Sequence, residues 1–227
     1  MKVAIFTDSF LPGIGGTENA VLRYAATLAK DNEVLVCAPD YQKKNDDNSL
    51  PFKVLRAKSF CVTKNDCFAM PEITPDIKTA LDEFKPDIVH CQTLGKMAAY
   101  ANRYAKRHGI PIVNTVHTKF RYCYRNALKS DLLAEILLRL VIRRANAANY
   151  VCSVSDSMVK ELKTYGIRKP VSVIRNGNIA EDNASGKIKS SVFTMLYVGL
   201  VIDYKNIGFS LEVLKELIIK EYESLRK

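Results

Sequence analysis

The order of short apolar runs and amphipathic stretches predicts an α/β protein with a doubly wound, mostly parallel sheet. Short runs rich in β-branched residues recur along the chain, and between most of them apolar residues fall at three- and four-residue spacing. Polar and glycine-bearing segments follow the runs directly, where ligands sit in such sheets.

Residues 2–7 read as a buried strand, and Gly13, Gly15 and Gly16 then break the chain into a loop. Thr17 is placed to N-cap a helix whose apolar face is Ala20, Val21, Tyr24, Ala25 and Leu28. Residues 33–38 form the second strand, 41–49 a polar loop and 53–57 a third strand. Residues 65–74 lack a pattern, 75–84 read as a helix, and 87–91 as a strand. A basic helix over 94–108 closes at Gly109, and 111–116 is the next strand. The helix over 131–146 gathers Leu132, Leu133, Ile136, Leu137, Leu140 and Val141 on its expected core side, with Glu135, Arg139 and Arg143 opposite. A strand at 150–154, a helix at 157–165 stopped by Gly166, and a strand at 171–175 follow. A polar linker leads to a fresh unit, strand 193–198 and helix 207–222.

The 227 residues are 48% apolar and 26% charged, which excludes wholesale disorder. No apolar run reaches the ~20 residues of a membrane span. Residues 1–8 turn acidic too soon for a signal peptide, so the chain reads as cytoplasmic. The six cysteines form no C-x-x-C pair, which predicts buried thiols rather than disulfides and no metal site. The net charge is +10, and between Lys96 and Arg144 eleven bases meet only Asp131 and Glu135. That concentration is either a solvated helical face or a surface for an anionic partner.

The candidate functional residues lie after strands. The loop through Gly15 and Gly16 precedes a helix N-terminus and is either a tight turn or an anion cradle. It is neither a P-loop nor a G-x-G-x-x-G fingerprint, because Glu18 holds the last position. His117 and His90 each directly follow or end a strand, as structural histidines or as site residues. Thr17, Lys119, Ser155 and Asn176 occupy similar places. Lys205 opens the last helix, where a cation opposes the helix dipole unless an anion binds nearby. No Ser-His-Asp or Cys-His set is assignable, since Cys91 faces away from His90 along a strand.

Six segments stand in order: Ile5 to Pro12 with Gly15-Gly16-Thr17-Glu18; Lys85-Pro86-Asp87-Ile88-Val89-His90; and Ile110 to Thr118 around His117. Val154-Ser155 to Tyr165-Gly166, Val173-Ile174-Arg175-Asn176-Gly177, and Leu196-Tyr197-Val198-Gly199 with Lys205-Asn206 complete them. Together they resemble glycosyltransferase family 4, of the GT-B fold. The resemblance implies a Rossmann-like acceptor-side domain over 1–180, a linker at 181–191, and the first strand–helix unit of a donor-binding domain over 192–227. It implies sugar transfer, with retention and no required metal or cofactor, from a UDP- or GDP-sugar to a lipid or glycan acceptor. Gly15, Gly16 and Lys205 would meet the donor diphosphate, and His117 the transferring sugar. Thr17, Glu18, His90, Lys119, Ser155 and Asn176 would line the cleft. The basic region would face an anionic membrane or a phosphorylated acceptor, with the protein in the cytoplasm or peripheral at the inner face of the plasma membrane.

Leu200, Arg175 and Asn178 depart from the family pattern, and the paired glutamates seven residues apart are absent from these 227 residues. The chain is therefore expected to be truncated and inactive alone, needing a separate chain for its donor half. A non-catalytic module binding an acceptor or a membrane surface is the rival reading. Specific nucleic-acid binding has only the charge in its favour, with no helix-turn-helix, zinc or RNA-binding signature.

Overall fold

The structure is a computed structural model describing residues 1–41, 46–62, 67–177, 194–199, 201 and 205–224. It contains two compact units, Met1–Ile179 and Ala180–Lys227.

The first unit runs β1 (Lys2–Phe6), α1 (Gly16–Leu28), β2 (Glu33–Pro39), β3 (Lys53–Ala57), β4 (Ser59–Cys61), β5 (Cys67–Ala69), α2 (Pro75–Phe84) and β6 (Ile88–Cys91). It continues with α3 (Lys96–His108), β7 (Ile112–Val116), α4 (Phe120–Leu128), α5 (Asp131–Ala147), β8 (Tyr150–Ser153), α6 (Asp156–Tyr165) and β9 (Val171–Val173). Seven strands form one sheet in the order β3-β2-β1-β6-β7-β8-β9, all adjacent pairs parallel. The doubly wound sheet read from the sequence is present. The direction of strand addition reverses between β1 and β6, so their carboxyl ends flank the crevice where such sheets take ligands.

Both faces of the sheet are buried, which explains the uninterrupted apolar runs. Ala4 and Phe6 of β1 enter one core with Leu81, Met97, Leu138 and Leu162 from α2, α3, α5 and α6. Val3 and Ile5 enter the other with Val21 and Ala25 of α1. Gly109 and Gly166 end α3 and α6 at φ 67 and 97, in the left-handed region that favours glycine.

The structure differs from four local expectations. Thr17 does not cap α1. Gly15 is the N-cap residue and offers no side chain. The core side of α5 is Ala134, Leu138, Val141 and Ala145, whereas Leu132, Leu133, Ile136 and Leu140 are exposed. Leu132, Leu133, Ile136 and Leu140 are more apolar than Ala134 and Ala145, yet it is the small alanines that are fully buried. Helix α4 occupies a stretch to which the sequence reading gave no element; none of its residues is fully buried, but Phe120 and Tyr124, four residues apart, pack against the core. The cysteines are not all buried thiols: Cys61 and Cys67 stand opposite each other in the β4–β5 ladder and form a disulfide, and Cys123 is exposed.

The second unit holds α7 (Ile207–Ser224) and differs too. Residues 194–198 carry no strand, although one was expected over 193–198; a segment with no neighbouring strand gains no ladder hydrogen bonds. Residue 193 and the expected linker at 181–191 lie outside the described residues. Leu211, Leu217 and Ile218 of α7 are exposed.

Candidate active site

The site grows from the carboxyl ends of β6 and β7. β6 delivers His90 towards α1 and Cys91 towards the opposite core, as strand alternation requires. The His90 and Tyr24 rings meet in a T-shaped contact, with centroids 5.1 Å apart and planes at 84°. Gln92 follows, its backbone N–H bound to the Phe6 carbonyl at 2.8 Å, so β1 fixes the start of this loop. β7 delivers Thr115 and then His117.

These side chains make one polar chain. His117 Nε2 lies 2.8 Å from Gln92 Oε1, Gln92 Nε2 lies 3.3 Å from His90 Nε2, and His90 Nε2 lies 2.8 Å from Thr115 Oγ1. Gln92 and His90 are 3% and 6% exposed, so the chain is sealed from water except near His117. Burial, and secondarily the nearby His117, lowers the His90 pKa to about 4. Burial also lowers that of His117, against an opposing pull from the Glu18 carboxylate. Both imidazoles are neutral at pH 7 and accept or donate hydrogen bonds without a buried charge.

A cavity of about 330 Å³ opens over this chain. Its walls include Arg23, Tyr24, Gln92, Thr115, His117 and Asn176. Of the residues singled out from the sequence, His117 and Asn176 line it, and His90 stands behind as their buried support. Gly15 and Gly16 begin α1 on a turn where Glu18 folds back; a Cβ at position 15 would lie 2.4 Å from Glu18 Oε2. Thr17 sits in that first turn, half-buried. Three other residues are not gathered into the cavity lining. Ser155 caps α6, its Oγ accepting the Met158 N–H at 3.3 Å. Lys119 precedes α4 and pairs with Glu161 at 3.6 Å. Lys205 belongs to the second unit, just before Asn206 at φ 51 and α7.

The stretch His90–Gly95 after β6 is a candidate from the sequence and contains Gln92, but the sequence gives no individual role to Gln92, Thr115, Arg23 or Tyr24. Gln92 lies two residues beyond His90 in the post-strand loop, which is the one signal that pointed to it. Arg56 supports the site from a distance. Its guanidinium forks onto Asp47 at 2.7 and 2.9 Å and also donates to the carbonyls of Leu11 and Pro39, holding the glycine loop against β2. Among the described residues, no group of three or more His, Cys, Asp or Glu is placed to hold a metal ion.

The sequence model of Glycosyltransferase Family 4 matches residues 14–178, more than half of the chain. The chain belongs to glycosyltransferase family 4. A GDP-mannose-dependent alpha-mannosyltransferase of Corynebacterium glutamicum is 30% identical over 173 residues, 74% of this chain and 41% of the relative. An alpha-monoglucosyldiacylglycerol synthase of Acholeplasma laidlawii is 27% identical over 124 residues, 53% of this chain and 31% of that relative. The crystal structure of Anabaena HepE with UDP and glucose superimposes on 78% of this chain and 45% of its own, with a TM-score of 0.57 and 18% identity, which shows a common fold. This family 4 chain thus spans less than half the length of the relatives it matches. No helix among its described residues is long and apolar enough to cross a membrane.

Proposed function

We propose that this chain supplies the acceptor side of a family 4 sugar transfer, from a UDP- or GDP-sugar to a lipid or glycan acceptor with retention. The observation that carries the reading is His117: a neutral imidazole at the end of β7, held by Gln92 and facing a cavity that would accommodate a sugar. His117 would hydrogen-bond a hydroxyl of the transferring sugar, and Asn176 would help orient it. The amides at Gly15 and Gly16 would approach the donor diphosphate once Glu18 swings aside, and Lys205 would neutralise charge on the leaving group. Glu18, Thr17, His90, Lys119 and Ser155 would shape the cleft around them. The C. glutamicum and Acholeplasma relatives support the donor and acceptor classes by what they are named for. No cofactor or metal is assigned a role.

As an isolated polypeptide, the 227 residues are proposed to bind sugar without turning it over, the donor-side contacts coming from a further domain or separate chain. The test titrates GDP-mannose, UDP-glucose and free hexoses into the chain while NMR follows His117. Movement of the His117 signals, with those of His108 outside the cavity lining unmoved, supports the cleft. Unmoved His117 signals at millimolar ligand overturn it, and steady sugar transfer by the chain alone overturns the proposed inactivity.

One observation favours an additional role at a membrane surface. Exposed Leu132, Leu133, Ile136 and Leu140 make an apolar ridge along α5, beside exposed Lys129, Arg139 and Arg143. The two acids of this region are engaged, Glu135 with Arg121 at 2.8 Å and Asp131 with Arg125 at 2.9 Å. An apolar ridge edged by cations matches an anionic bilayer surface. Co-sedimentation with phosphatidylglycerol vesicles, lost in Leu132→Asp/Ile136→Asp and weakened by salt, is the expected result. Equal binding by the variant would overturn it.

A further inference from the structure

We infer that Gln92 is the positioning residue of His117, setting its ring plane and its tautomer so that Nδ1 is left as a hydrogen-bond acceptor. An amide oxygen only accepts, so Gln92 Oε1 at 2.8 Å requires a proton on His117 Nε2. A neutral imidazole carries one N–H, which leaves the Nδ1 lone pair unprotonated. The same amide turns its NH2 towards His90 Nε2, and an amide nitrogen only donates. His90 Nε2 therefore accepts, its single lone pair taken chiefly by the Thr115 hydroxyl at 2.8 Å and only weakly by the Gln92 amide at 3.3 Å, and His90 carries its proton on Nδ1. One orientation of one buried amide thus dictates both tautomers, and the reverse orientation would invert both. Tyr24 against the His90 ring and the Gln92 N–H bound to Phe6 hold the far end of the chain still. Gln92 acts on the cavity through His117. An acceptor nitrogen suits a sugar hydroxyl, which donates to it; a pyrrole-type N–H would instead seek a carbonyl, carboxylate or phosphate oxygen. Only this last step rests on the proposed sugar transfer.

The test reads nitrogen shifts rather than turnover. The chain has three histidines, so 15N-histidine labelling with single-histidine variants assigns each ring. At pH 7 the expected His117 spectrum shows a protonated Nε2 and a pyridine-type Nδ1, with the opposite pattern at His90. Gln92→Leu should leave His117 as a mixture of tautomers, and Gln92→Glu should raise its midpoint of protonation by about one unit or more, by placing a carboxylate against the ring. A wild-type His117 protonated on Nδ1 would overturn the inference, as would an unchanged tautomer in Gln92→Leu. Gln92→Glu keeps the side chain's size if the leucine variant fails to fold. Because no sugar enters the measurement, its result stands apart from the ligand titration above.

Discussion

The carboxylate of Asp8 accepts the backbone N–H of Met97 at 2.9 Å with one oxygen and that of Gly95 at 2.7 Å with the other. The helix it caps, α3, starts far along the chain, 87 residues separating Asp8 from Gly95. The Thr93 hydroxyl adds a third hydrogen bond at 2.6 Å. A loop after β1 thus ends the crevice at β6 with a charge that satisfies helix amides lacking partners of their own. Asp8→Ala should cost about 2 kcal/mol and Asp8→Asn about half that, read from the midpoint of urea unfolding. Gly95→Ala should be worse than either, because its Cβ would lie 2.4 Å from the Asp8 carboxylate.

Arg56 distributes its donors over a carboxylate and two carbonyls, an arrangement only the planar guanidinium reaches. Arg56→Lys should lower stability by about 1–3 kcal/mol. Hydrogen exchange should locate the loosening at residues 11–16 and 39–41, with α6 unaffected. Uniform loosening would contradict this assignment.

His90 makes stability depend on pH. Its pKa falls from 6.5 to about 4 in the folded protein because burial disfavours the imidazolium. The unfolded chain therefore binds more protons between these values. Stability is complete above about pH 6.5 and falls as the pH drops towards 4, by on the order of 3 kcal/mol in all. The lowered His117 pKa acts in the same direction. Melting temperatures between pH 7.5 and 4.5 should show a slope that flattens in His90→Gln; an equal slope would remove His90 as its source.

Thiol titration separates the cysteines. Unfolded without reductant, the chain should give four reactive thiols, from Cys37, Cys91, Cys123 and Cys152, and six after reduction of the Cys61–Cys67 bond. In the native protein Cys123 should react first, since the other three are buried. Six thiols without reductant would show the hairpin to be open.

Much of this was legible because each β segment is buried on both sides, so composition alone marks it. β1 and β2 are apolar at nearly every position, and Gly109 and Gly166 punctuate α3 and α6 as glycine must. The α5 core side was misread because apolarity does not rank residues by fit: Ala134 and Ala145 pack inward while Leu132 faces out. The β4–β5 hairpin has three residues per strand, too few to set up alternation. At the site, His117 and Asn176 stood out by lying after strands. Gln92 lay in the same kind of stretch but carried no role, since a glutamine has no titratable chemistry and its part exists only when β6 and β7 lie side by side.

The two-sided burial of β1 has a consequence for how damage spreads. Ile5 and Phe6 are joined by a single peptide bond, yet their side chains report to separate interiors. A flaw at Phe6 is felt first by Tyr100, whose ring is 6.5 Å away on α3, while one at Ile5 is felt on the α1 side. The strand works as a party wall: adjoining bricks face different households, and neighbours in the gene are strangers in the fold.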